Sequence, residues 1–177
     1  MNRRTGSTLA GVWLLAAVMV TAQEPPKIHT VEATGVKVHF LAMPWGPLTF
    51  AAMEQGSDSY YNKRTWPFAR LETSVPLGLD GTRLPPGNYA LVFHPNSPDG
   101  KAGMALEVLR LAVPEFLQEG NVMTRTPPGE SVLKRTVAFE KAAETAPALV
   151  ISLAADGKRL VLTIHYGDRK LQQDLEQ

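Results

Sequence analysis

The chain has no cysteine in 177 residues. That absence excludes disulfides, thiolate metal sites, a cysteine nucleophile and lipid attachment at an N-terminal processing site. An excess of charge of one sign is also missing, with 18 basic against 17 acidic residues and a net charge of +1. Such a balance leaves no electrostatic footprint for nucleic acid and no polybasic patch for anionic lipid. No Gly-x-Ser-x-Gly elbow and no phosphate-cradling glycine loop ahead of a helix occurs. Repeats and low-complexity tracts are absent as well. Aromatic residues make up only 7% of the chain, so the places where they gather carry information.

One long apolar run exists, Leu9 to Val20, and it is short for a bilayer span. Arg3 and Arg4 precede it, and Val20-Thr21-Ala22 ends it with compact residues at the processing positions. This is the pattern of a secretion signal cleaved after Ala22, with the domain proper at residues 23–177. An uncleaved anchor is the competing reading, but Gln23-Glu24-Pro25-Pro26 breaks any continuing helix. Twin-arginine export fits less well, because Thr5 and Gly6 follow the arginine pair. Removing residues 1–22 takes away two arginines and no acid, leaving 16 basic and 17 acidic residues, net −1. A periplasmic or secreted bacterial domain is expected, touching membrane only through its signal. It is large enough to bury a core without covalent staples.

Period-2 alternation dominates the rest. Val36, Val38 and Phe40 share one side of a run, and so do Tyr89, Leu91 and Phe93. Residues 104–113 and 68–75 read as further strands. Leu149, Ile151 and Leu153 precede Asp156-Gly157, and Leu160, Leu162 and Ile164 follow it, which is a hairpin signal with a type I′ turn. Several runs are apolar on both faces, which calls for burial on both sides. Residues 114–120 carry the start and stop marks of one short helix. Residues 130–146 have helical composition, but Leu133, Val137 and Phe139 alternate with polar positions, which favours a strand over a helix, with Arg135 outward or paired. Loops are expected at 58–67, 96–103 and 124–129. The predicted fold is all-β: a single antiparallel β-sandwich, jelly-roll-like or Ig-like, with at most one or two short helices.

The stretch Leu79 to Pro95, LDGTRLPPGNYALVFHP, shows how such a fold is punctuated. Asp80-Gly81 supplies one tight turn. Leu84-Pro85-Pro86-Gly87 supplies a second, read as type II with Gly87 at positive φ. The chain then re-enters the sheet at Asn88-Tyr89. Gly81, Arg83, Leu84, Pro85, Gly87, Tyr89 and Leu91 also carry a resemblance. They are similar to the Gly-Lys/Arg-Leu-Pro-x-Gly-x-Tyr-x-Leu run of the bacterial secreted domain of unknown function family 2911. The tail, LTIHYGDRKLQQDLE, resembles that family's closing strand pair, with Tyr166 where the family carries a Trp. The family's upstream Trp-Arg-x-Gly-Ala-Asn run is replaced here by Arg64-Thr65-Trp66-Pro67-Phe68-Ala69. The resemblance implies an exported, mostly-β domain and assigns no activity.

No catalytic, metal or cofactor set stands out. His29, His39, His94 and His165 lack metal-ligand spacing, although His39, His94 and His165 with Glu72 or Glu107 would form a site if three strands converged. A glycosidase pair would have to be drawn from Asp58, Glu72 and Glu107. Ser57, Ser59 and Ser74 sit in or near loops, where serines are commonplace. Aromatics gather at Trp45, Tyr60, Tyr61, Trp66 and Phe68. On rim loops these would hold a sugar ring, a small molecule or a protein partner. The structural alternative has Trp66 and Phe68 opening a core strand while Trp45 plugs one end of the sandwich. The expected function is a non-catalytic ligand- or protein-binding module of the envelope. The alternative is a hydrolase of an envelope or extracellular glycan or ester, which requires a histidine and a carboxylate to converge.

Overall fold

The computed structural model describes residues 27–55, 66–95, 104–114 and 126–177. Among the described residues, ten strands and one helix follow in the order β1 (Ile28–Ala33), β2 (Val36–Leu41), α1 (Pro47–Gln55), β3 (Trp66–Thr73), β4 (Leu77–Leu79), β5 (Thr82–Leu84), β6 (Gly87–His94), β7 (Met104–Leu111), β8 (Glu130–Val137), β9 (Glu140–Asp156) and β10 (Arg159–Glu176). They form a six-stranded sheet, β1-β2-β3-β6-β7-β8, and a four-stranded sheet, β5-β4-β10-β9. All pairings are antiparallel. The expected all-β sandwich is therefore the fold. Six strands face four, rather than the four against three of an immunoglobulin domain.

The alternation places Val36, Val38, Leu71, Tyr89, Leu91, Phe93, Leu106 and Val108 between the sheets, where all are buried. They meet Leu149, Ile151, Leu160, Leu162 and Ile164 from the other layer. The doubly apolar runs have a second purpose. Ala90, Val92, Leu109 and Leu111 point to the outer side of β6 and β7, yet are 0–7% exposed and form a separate cluster. The middle of the larger sheet is thus buried on both faces. Gly129 belongs to that packing: a Cβ there would lie 2.8 Å from the Arg110 carbonyl oxygen and 3.2 Å from Leu109 and Leu111 side-chain carbons.

The proline-rich stretch turns out to move the chain between layers. After Thr73 the chain leaves the six-stranded sheet through a turn in which the Thr73 hydroxyl bonds the Val75 carbonyl and amide. It builds the β4–β5 hairpin on the other sheet, turning at Asp80 and Gly81, both at positive φ (52° and 78°). Pro85 and Pro86 then return it to the first sheet, where Gly87 pairs with Thr73. Gly87 has φ 158°, close to extended, so it opens β6 rather than completing the expected type II turn. The Tyr89 hydroxyl donates to the Pro85 carbonyl at 2.5 Å and pins the return.

Of the other expectations some hold and some are corrected. The β9–β10 hairpin forms, but Asp156 is its last paired residue, opposite Arg159. The turn is therefore Gly157-Lys158, one residue later than read, and Gly157 at φ 62° in first place suits a type II′ turn. Residues 130–146 are strand, divided between β8 and β9. Arg135, on the sheet's edge, bonds Gln173 and pairs with Asp80 (Nε–Oδ2 3.3 Å), both from the opposite layer. The helix lies at Pro47–Gln55, ahead of the loop expected at 58–67 and where no element was assigned, and buries Phe50 and Met53. Most of residues 114–120 lie outside the described residues. Among the described residues, no helix is long and apolar enough to cross a membrane.

β10 doubles back on itself. Its Gln172 amide donates to the Thr163 hydroxyl at 3.4 Å, Arg159 reaches Asp174 at 3.4 Å, and the Gln177 amide bonds the Lys158 carbonyl at 3.0 Å. These contacts put the two halves side by side around Gly167, which takes φ 63°.

Candidate functional site

Of the aromatic segment, the described side chains are Trp66, which is interior, and Trp45, which is half-buried. Trp66 opens β3 and is 1% exposed. Phe50 from α1 is the hub of the cluster, with ring centres 5.5 Å from Trp45, 6.1 Å from Trp66, 5.2 Å from Phe139 and 5.9 Å from Tyr166. Trp45 is half-buried and sits edge-on to Tyr166 at 4.8 Å. It also covers Gly167, where a Cβ would lie 2.0–2.4 Å from three indole carbons. Backbone bonds from Trp45 N to the Pro147 carbonyl and from Leu149 N to the Met43 carbonyl fix that position. Trp66 and Trp45 thus close one end of the sandwich. Tyr60, Tyr61 and the Phe68 side chain lie outside the described ones, as does Asp58.

The polar constellations lie on the outer face of the six-stranded sheet. Cross-strand register sets Glu32 beside Lys37, Lys37 beside Glu72, and Glu72 beside Asn88, one residue from each of β1, β2, β3 and β6. Cross-strand partners share a face, so this row alternates in charge across the sheet. Glu32, Lys37, Glu72, Asn88 and Ser74 line an open cavity of about 370 Å³. The next row holds Thr30, His39 and Arg70. His39 Nδ1 lies 2.8 Å from the Thr30 hydroxyl and its Nε2 lies 3.1 Å from Glu72 Oε1. Thr30 is exposed, whereas the His39 side chain is only 14% so.

A second pair stands further along the same face, where His94 Nε2 lies 2.6 Å from Glu107 Oε2. Burial pushes the His94 imidazole below its ordinary value, and the bond to Glu107 offsets only part of that. Burial also acts to raise Glu107. Hydrogen bonds from Ser131 and His94, with the nearby Lys134 ammonium, outweigh it and hold the carboxyl below its usual range. The pair at neutral pH is therefore a neutral imidazole donating Nε2–H to a carboxylate, not an ion pair.

The two pairs are separate sites. His39 is in register with Arg70 and Ala90, and His94 lies four residues beyond Ala90. At ~3.3 Å per residue and ~4.8 Å per strand, about 16 Å divides them. A similar distance divides Glu72 from Glu107, well beyond the ~5–9.5 Å of a glycosidase pair. His165 lies in the other sheet, its Nε2 3.0 Å from the Glu144 carbonyl, and His29 stacks on Phe40. The imagined histidine trio is not assembled, and among the described residues no group of three His, Asp or Glu could hold a metal. Sequence reasoning missed Thr30 because β1 went unrecognised, although Thr34-Gly35, at φ 43° and 81°, is a hairpin turn directly after it. No family model, curated protein or solved structure matches the chain.

Proposed function

We propose that the chain is an exported binding module of the bacterial envelope that holds a polar ligand or a partner protein on the outer face of its six-stranded sheet. The row Glu32–Lys37–Glu72–Asn88 carries this reading. Fixed donors and acceptors of alternating charge, set one per strand beside an open cavity, suit a ligand offering both signs or many hydroxyls. The N-terminal pattern ending at Ala22 supports export. The resemblance to the domain of unknown function family 2911 fits the same picture. Its matching Leu84 is buried, and its matching Tyr89 is the residue that anchors the return into the sheet.

Expression in a bacterial host, with mass measurement of the exported product, should find an N-terminus at Gln23; an intact Met1 would remove the export part. Glycan arrays and pull-downs with the processed domain test binding. Lys37→Ala and Asn88→Ala should abolish the signal while the fold is kept. Loss only on Tyr60→Ala or Tyr61→Ala would move the site to the aromatic segment, and silence in both screens would remove the binding reading.

A further inference from the structure

We infer that Thr30, His39 and Glu72 form an acyl-transfer relay that acts on small activated esters. A hydroxyl, an imidazole and a carboxylate stand in hydrogen-bonding sequence, 2.8 Å and then 3.1 Å apart, the arrangement by which a weak oxygen nucleophile is activated. An ionised carboxylate only accepts, so His39 Nε2 carries the proton shared with Glu72. Neutral His39 then presents the Nδ1 lone pair to the Thr30 hydroxyl, ready to take its proton. A cross-strand Thr–His bond alone would serve sheet pairing. Two further features set this one apart. The far nitrogen is held by a carboxylate 33 residues away in sequence, and the hydroxyl is solvent-exposed while the base is shielded.

The step balances within the relay. The Thr30 oxygen forms a bond to the ester carbonyl carbon and its proton passes to His39 Nδ1. The bond to the leaving oxygen breaks, and that oxygen takes the proton from His39 and departs as an alcohol. Water then adds to the acyl-Thr30 ester, gives a proton to His39, and releases the carboxylic acid as Thr30 regains its own. Glu72 stays ionised and steadies the transient imidazolium. General-base assistance alone is worth roughly 10²–10⁴-fold, so turnover is slow. An activated ester has a far better leaving group than the Thr30 alkoxide, so acylation outpaces hydrolysis of acyl-Thr30 and the acyl form accumulates.

This activity does not rest on the binding proposal, since its readout is a covalent bond. Purified protein incubated with p-nitrophenyl acetate should release one burst equivalent of nitrophenol, and mass spectrometry should place one acetyl group on the peptide holding Thr30. Thr30→Val should abolish the adduct, Thr30→Ser should restore it, and His39→Gln should slow its formation by about 10²-fold or more. Circular dichroism of each variant should match the parent. An unmodified Thr30, or equal burst and adduct in Thr30→Val, overturns the proposal. An acetyl group found on lysines alone does the same.

Discussion

The indole of Trp45 occupies the space that a side chain at residue 167 would need. Three of its carbons lie 2.0–2.4 Å from where a Cβ would stand, and Gly167 is already in the left-handed region at φ 63°. Gly167→Ala therefore carries the left-handed penalty of about 1–2 kcal/mol. Displacement of Trp45 from Tyr166 and Phe50 comes on top, for a total of about 3 kcal/mol or more. In a Trp45→Ala background only the left-handed penalty should remain. A double-mutant cycle in urea should show a coupling of at least about 1 kcal/mol, and simple additivity would contradict the packing described.

Trp66 is a core residue, and its removal should register as instability before anything else. Trp66→Ala should cost about 3–5 kcal/mol, a large part of the stability of a domain this size. Trp45→Ala, at a half-buried position, should cost clearly less. Denaturant midpoints of the two variants decide the matter, and a Trp66→Ala protein as stable as its parent would place that ring at the surface.

Acid should weaken the fold in two stages through the His94–Glu107 pair. The folded His94 pKa lies below its ordinary 6.5, so the unfolded chain takes the proton first and stability falls as pH drops below 6.5. Glu107, held below its ordinary 4.5, supports the fold above that value and withdraws support as pH falls further. Each group contributes a slope of at most about 1.4 kcal/mol per pH unit. His94→Gln should abolish the upper stage and, because His94 helps hold Glu107 low, alter the lower one as well, leaving what Ser131 and Lys134 sustain. Urea unfolding at closely spaced pH values would show this, and an unchanged profile between pH 6.5 and pH 5 would contradict it.

The sandwich was legible because alternation survives wherever one face of a strand meets the core, as at Val36-Val38-Phe40 and Leu160-Leu162-Ile164. Helix α1 was not, because it lies at the end of the barrel-less sandwich and buries only Phe50 and Met53, too few for a periodic stripe. Pro47 in first position was the signal that could have shown it. Residues 130–146 read as strand from alternation, against their composition: Glu, Lys and Ala favour helix, but pairing of β8 with β7 and of β9 with β10 overrides that preference. The histidine–carboxylate pairs depend on register between strands 33 and 13 residues apart in sequence. Nothing local specifies such a meeting. Thr30 reaches His39 only because the Thr34-Gly35 turn sets which residues of β1 and β2 face each other.

The doubling of β10 at Gly167 has a kinetic consequence. From Glu140 onward, β9 and the two halves of β10 make a meander whose neighbours are joined by short turns, so little chain entropy is lost in closing it. The larger sheet must instead join β2 to β3 across the excursion that contains α1. The meander should therefore be the folding nucleus. In stopped-flow measurements, Ile164→Val should chiefly slow refolding, and Val38→Ala should chiefly hasten unfolding.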